Sequence, residues 1–213
     1  MTAKWNYTTI LAELQARGVP SNLATQTGSW INQSIREIWN TYNWDFRQKS
    51  ATLTMVGGTQ TYTISTAIGA DCELIYYMFN GTRKMLPATL FDIVEIDPDM
   101  SSTGTPDRFY IDSSGAKIGL YPKPSNAGTV TVYYLMGLTD ISGTTAPAIP
   151  DMYGQVIVEL AYAKALQYLQ KPEGNAAMVI AQNLINGMKS DQQTKYGNKK
   201  DFGWLDPSSG MVK

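Results

Sequence analysis

The chain has 213 residues, 43% of them hydrophobic and only 16% charged, with a formal net charge of −1. That near-neutrality excludes a global field drawing the protein to nucleic acid or to an anionic membrane. With no histidine and one cysteine, Cys72, the chain has no Ser-His-Asp triad, Cys-His pair, histidine-based metal site, zinc cluster or internal disulfide.

The length suits one large domain, or a helical and a β part sharing a core. Tyr, Thr, Asn, Gln and Ser supply the polar surface in place of charge, a composition that suits wide hydrogen-bonded interfaces and equally a β-rich fold. Residues 1–5 carry no apolar signal region, and no apolar run is long enough for a membrane span. Folding in the cytoplasm of the producing cell is therefore expected.

Tyr7, Ile10, Leu11 and Leu14 follow helical spacing, and Arg17-Gly18-Val19-Pro20 supplies a stop. A second helix carries Ile31, Ile35, Ile38 and Tyr42 on one stripe, flanked by Trp30 and Trp39. From Ala51 to Leu135 the period changes to two. Thr52–Val56, Gly57-Gly58 and Thr59–Ile64 predict one hairpin; Glu73–Phe79, Asn80-Gly81 and Thr82–Leu86 predict another. Thr89 can cap a short helix whose first turn holds Asp92, and Pro98 helps end it. A hairpin over residues 107–121 and a strand over 129–135 complete an antiparallel sheet or small sandwich.

Residues 137–150, rich in Gly, Thr and Pro, read as a loop. Tyr153, Val156, Ile157, Leu160 and Ala161 then open a helix to about Gln170, broken by Lys171-Pro172-Glu173-Gly174. Ala177, Ile180, Ala181, Leu184, Ile185 and Met188 form the stripe of a last, antiparallel helix. The expected fold is α+β: a bundle of amino- and carboxy-terminal helices with an inserted antiparallel β block and an extended C-terminal tail. The corresponding segments are 1–48, 49–136, 137–190 and 191–213.

That tail holds Lys195, Lys199, Lys200 and the aromatics Tyr196, Phe202 and Trp204, beside Leu205. Such a segment cannot bury enough apolar surface alone to order itself, yet its aromatics are costly to leave in water. Two solutions stay open: docking on a neighbour, or folding back on the tail's own subunit.

Signs of catalysis are few. Gly57-Gly58 precedes no helix and reads as a turn rather than a phosphate loop. Asp92, Glu95, Asp97 and Asp99 are the densest carboxylates, but they lack EF-hand spacing and its glycine. Cys72, between Asp71 and Glu73, reads as a small strand residue. Paired carboxylates suffice for glycoside cleavage, and Glu13, Glu37 and Asp45 lie in the helical part. With 18 acids such a pairing is weak, and Glu37 falls off the apolar stripe beside Arg36. Arg83 and Lys84, just after Asn80-Gly81, are candidates for phosphate contact.

Several segments in order resemble one known family. They are Trp30-Ile31-Asn32-Gln33-Ser34-Ile35-Arg36-Glu37-Ile38-Trp39 and the Thr105-Pro106 hairpin ending Leu120-Tyr121-Pro122-Lys123-Pro124. Val130-Thr131-Val132-Tyr133-Tyr134 follows, then Ile149-Pro150-Asp151-Met152-Tyr153 and Ala161-Tyr162-Ala163-Lys164-Ala165. Their order is similar to that of the head-tail adaptor (connector, head-completion) proteins of tailed bacteriophages, over roughly Leu11 to Met188. The resemblance implies a structural virion protein of the neck, with no turnover and no cofactor. It implies an oligomeric ring, commonly dodecameric, between the portal and a tail or nozzle protein, with DNA passing through and no membrane. Under it, Tyr196, Phe202, Trp204 and Leu205 would bind the portal, and Arg83 and Lys84 would be channel contacts repeated by symmetry. The alternatives are a tail-tube or baseplate subunit, or a cell-wall hydrolase using paired acids.

Overall fold

The computed structural model describes residues 4–196, with side chains as far as Thr194. Six α-helices are present among them: α1 (Tyr7–Ala16), α2 (Ala24–Thr41), α3 (Ile64–Ala67), α4 (Leu90–Ile96), α5 (Gly154–Tyr168) and α6 (Gly174–Tyr196). The strands are β1 (Gln48–Met55), β2 (Thr61–Thr63), β3 (Cys72–Asn80), β4 (Arg83–Lys84) and β5 (Leu86–Pro87). They continue with β6 (Thr103–Gly104), β7 (Arg108–Ile111), β8 (Lys117–Tyr121), β9 (Lys123–Pro124) and β10 (Gly128–Met136). The fold is α+β, as the change of period predicts. Among the described residues, those up to Asp45 and from Asp140 onward form one compact unit, and Phe46–Thr139 form the other. These limits fall three residues away from the two boundaries expected for the β block.

In the helical unit α1 begins at a capping box. The Asn6 side chain accepts from Thr9 N–H at 2.9 Å, and Thr9 Oγ1 accepts from Asn6 N–H at 2.8 Å. Helix α2 buries Trp30, Ile31, Ser34, Ile35, Ile38 and Trp39, the stripe expected of a 3.6-residue period. Tyr42 lies just past its end, with an extended backbone, and stacks edge-on against Trp44. Helix α5 buries Val156, Ile157, Val158, Leu160, Ala161, Ala163 and Ala165 because α1, α2 and α6 all pack against it. Asn32 fastens the returning chain to α2. Its amide donates to the Ile141 carbonyl at 3.2 Å and accepts from the Ile141 N–H at 2.9 Å.

Helix α6 departs from expectation in two ways. It runs through Tyr196, so residues 191–196 are helical rather than part of a tail. Its buried seam is Ala181, Ile185, Met188 and Gln192, whereas Ile180 and Leu184, placed on the packed stripe by spacing alone, are exposed. A helix packed chiefly against one neighbour, α5, needs only a narrow seam, so the wider apolar face outlasts the contact.

In the β unit two four-stranded sheets, ordered β1-β10-β3-β4 and β2-β8-β7-β5, share one core. Leu53, Met78, Val130 and Val132 come from the first sheet; Phe109, Ile118 and Leu120 come from the second. The hairpin expected between Thr52–Val56 and Thr59–Ile64 does not form. Gly57-Gly58 is a turn, closed by Thr59 N–H on the Val56 carbonyl at 3.0 Å, but it carries the chain from one sheet to the other. β1 instead pairs along all eight residues with β10, from Gln48↔Leu135 to Met55↔Gly128, and β2 pairs with β8. Alternation identifies a strand without identifying its partner. The other two hairpins are present. Gly81, at φ +61°, opens the two-residue link between Asn80 and Arg83, and β7 pairs with β8 from Arg108↔Tyr121 to Ile111↔Ile118.

The outer face of the second sheet carries Tyr110 and Tyr121, which pack with Ile93 of α4. Tyr110 lies opposite Gly119, its ring filling the space a side chain there would occupy. Gly119→Ala therefore displaces the ring from beneath α4, and we expect about 1–3 kcal/mol of destabilisation. A denaturant midpoint equal to that of the parent protein would contradict this packing.

Candidate interaction surfaces

Helix α4 is fixed at its start by a second capping box. Thr89 Oγ1 accepts from Asp92 N–H at 3.1 Å, and the Asp92 carboxylate accepts from Thr89 N–H at 2.8 Å. Donation from the Thr89 backbone holds the Asp92 carboxyl below its ordinary range, and donation from the Ser102 backbone does the same for Asp97. The seven-residue helix buries one side chain, Ile93. Leu90, Phe91, Val94 and Ile96 are exposed with Leu86 of β5, Phe91 at 85%. Single exposed apolar residues are ordinary; four on one seven-residue helix, with Leu86 on a nearby strand, make α4 a candidate interaction surface. Composition alone does not reveal it, although a helix this short, with five apolar residues in seven, cannot turn all of them inward.

Helix α6 presents the second apolar surface. Ala176, Ile180, Leu184 and Gly187 follow i, i+4, i+8, i+11 spacing on a face beside the buried seam, with Val179 at its edge. Val179 is 60% exposed, Ile180 55% and Leu184 37%.

Arg83 and Lys84 sit together on β4, exposed, each with a partner within the β unit. Arg83 Nη2 is 3.3 Å from Asp107, and Lys84 Nζ lies 4.4 Å from the centroid of the Tyr77 ring. Tyr77 continues into an aromatic cluster with Tyr76, Phe79 and Tyr133 on the first sheet. Of the residues expected to bind a partner, Tyr196 is the last of α6 and its side chain is not described; Phe202, Trp204 and Leu205 lie outside the described residues.

The acids considered for glycoside cleavage are engaged separately. Glu13 pairs with Arg17 at 3.0 Å, which also reaches Glu159 at 2.9 Å, while Glu37 meets Lys164 at 2.7 Å. Asp45 donates its backbone N–H to Gln192 at 3.2 Å. Burial, then the charge of Asp71, pushes the Cys72 thiol up to about 11, opposite to the shift that makes a nucleophilic thiolate. Among the described residues, no group of three His, Cys, Asp or Glu side chains is arranged to hold a metal ion. No helix among them is long and apolar enough to cross a membrane.

One unit is packed helices and the other two sheets sharing a core, and each carries exposed apolar side chains outside its core. The family model for SU10 adaptor protein matches residues 5–200, nearly the whole chain. The protein belongs to that family, and so to the structural head-tail adaptors of phages and the components of their virions. A comparison with curated proteins yields no match.

The contrast within α4 is testable. Phe91→Asp should leave stability within about 0.5 kcal/mol of the parent, whereas Ile93→Ala should cost about 2–4 kcal/mol. Equal losses in urea denaturation would show that Phe91 is packed within the chain.

Proposed function

We propose that the protein assembles as a ring, dodecameric as is common among head-tail adaptors, between the portal and a tail or nozzle protein. DNA passes through it without chemistry being performed on it. Membership of the adaptor family carries this reading. The apolar surfaces on α4 and α6 support it, because a ring built from one chain needs two different faces that meet head to tail. The carboxy-terminal segment is the portal-binding element, with Tyr196, Phe202, Trp204 and Leu205 as anchors: large aromatic groups give most affinity per residue ordered. Arg83 and Lys84 would face the channel, where modest local charge is repeated around the ring. Pairing of Arg83 with Asp107 suits passage better than tight binding.

Removing residues 197–213 tests the portal contact. That cut spares the buried seam of α6, which a deletion from residue 190 would damage at Gln192. The shortened protein should keep the parent's denaturation midpoint and lose binding to its cognate portal ring in sedimentation. Retained binding would overturn the assignment of the anchors. Within the full chain, Trp204→Ala should weaken portal binding by about 2–4 kcal/mol. Unchanged affinity would remove Trp204 from the contact.

A further inference from the structure

The two four-stranded sheets of the β unit have four edges, and three of them are guarded. β4 and β5 are two residues long and β2 is three; β4 carries Arg83 and Lys84, and β5 ends in Pro87. Short strands, exposed charge and proline all discourage a further strand from pairing. β1 has none of these defences. It is eight residues long, regular along its whole pairing with β10, and free of proline and glycine. Its one charged residue, Lys49, is turned to Asp71 at 2.6 Å.

The register fixes which backbone groups of β1 face outward. Met85 N–H donates to the Met78 carbonyl at 2.9 Å, so Met78 turns its polar groups toward β4. Val132, opposite Met78, therefore turns toward β1, where it lies opposite Ala51. Ala51 and Leu53 are thus bonded to β10, while Ser50, Thr52 and Thr54 point their N–H and C=O groups away from it. All three residues are exposed, and among the described residues no hydrogen bond satisfies those backbone groups. The next outward residue, Val56, is already closed off. Its N–H donates to the Tyr62 hydroxyl at 3.0 Å, and its carbonyl accepts from Thr59 N–H at 3.0 Å.

We propose that this edge pairs with the same edge of a second copy, antiparallel about a two-fold axis through Thr52. In that register Thr52 meets its own counterpart and Ser50 meets Thr54, so the three exposed residues satisfy one another's outward groups. The side chains suit the pairing. Ser50, Thr52 and Thr54 alternate with the buried Leu53 and Met55, giving a row of hydroxyls, and Thr-Thr and Thr-Ser pairs are favourable across strands. Lys49 falls opposite Met55, so no like charges meet. A second copy also presents its edge already ordered, whereas a loose peptide would first lose backbone freedom at every paired residue. The contact is isologous and closes at two copies, which separates it from the head-to-tail faces of a ring. It is independent of the portal reading.

Single cysteines in a Cys72→Ser background test the register. Thr52→Cys would meet its counterpart with Cα atoms about 5.5 Å apart, within the span of a disulfide, whereas two Thr54→Cys chains hold theirs about 14 Å apart. On mild oxidation of the full-length protein, Thr52→Cys should form linked dimers at least ten-fold faster than Thr54→Cys. Equal rates would overturn the pairing. Sedimentation of the parent protein over a concentration series should show its mass rising to twice that of one chain. Thr52→Lys, which sets two like charges face to face at the axis, should hold it at one while keeping the parent's circular dichroism. A parent protein that stays at the mass of one chain throughout would overturn the proposal and leave the edge to a strand of a different protein.

Discussion

The eight-residue pairing of β1 with β10 is the contact on which this architecture depends. It joins the first and last strands of the inserted β unit, so the chain enters and leaves that unit through neighbouring strands. The helical unit can then be assembled from two segments far apart in sequence. Asn32 on α2 bonds to Ile141 just after the return, and α5 packs against α1 and α2 as though the chain were uninterrupted. Non-local pairing of this kind is slow to find, because the loop must close before the contacts form. Once made, it allows each unit its own core.

Those cores leave apolar surface over. Full burial of such a side chain is worth about 1.5–3 kcal/mol; Phe91 on α4 forgoes most of it, and Leu90, Val94, Ile96, Val179, Ile180 and Leu184 forgo a part in proportion to their exposure. The fold can carry this because its stability rests on Trp39, Trp44, Leu53, Met78 and the other fully buried side chains. On the ring reading proposed above, the exposed faces are reserves of assembly energy. The same physics makes them hazardous in isolation.

Much of the fold was legible in local patterns. The α2 stripe, the Thr89–Asp92 capping box and the Asn80-Gly81 turn each depend on residues within a few positions, and each is present. Partner choice was not legible: Thr52–Val56 and Thr59–Ile64 look like a hairpin because both alternate around two glycines, yet the two strands lie in different sheets. Helical spacing placed Ile180 and Leu184 with Ala181 and Ile185, because a periodic pattern shows which residues share a face and not which neighbour covers it. The α4 surface went unseen for the related reason that exposure is decided by what the rest of the chain supplies. Phe202 and Trp204 were flagged by chemistry alone, as aromatics in a segment with no core of its own.

The central claim is that this chain is an assembly component whose partner is the portal. The most direct measurement is the mass of the full-length protein in solution, alone and then mixed with its cognate portal ring. The account predicts a free protein that joins the portal in one fixed multiple, giving a complex of a single mass. A ring that forms readily alone and ignores the portal would contradict it and indicate a tail-tube or baseplate subunit. So would a monomer with no portal affinity at all.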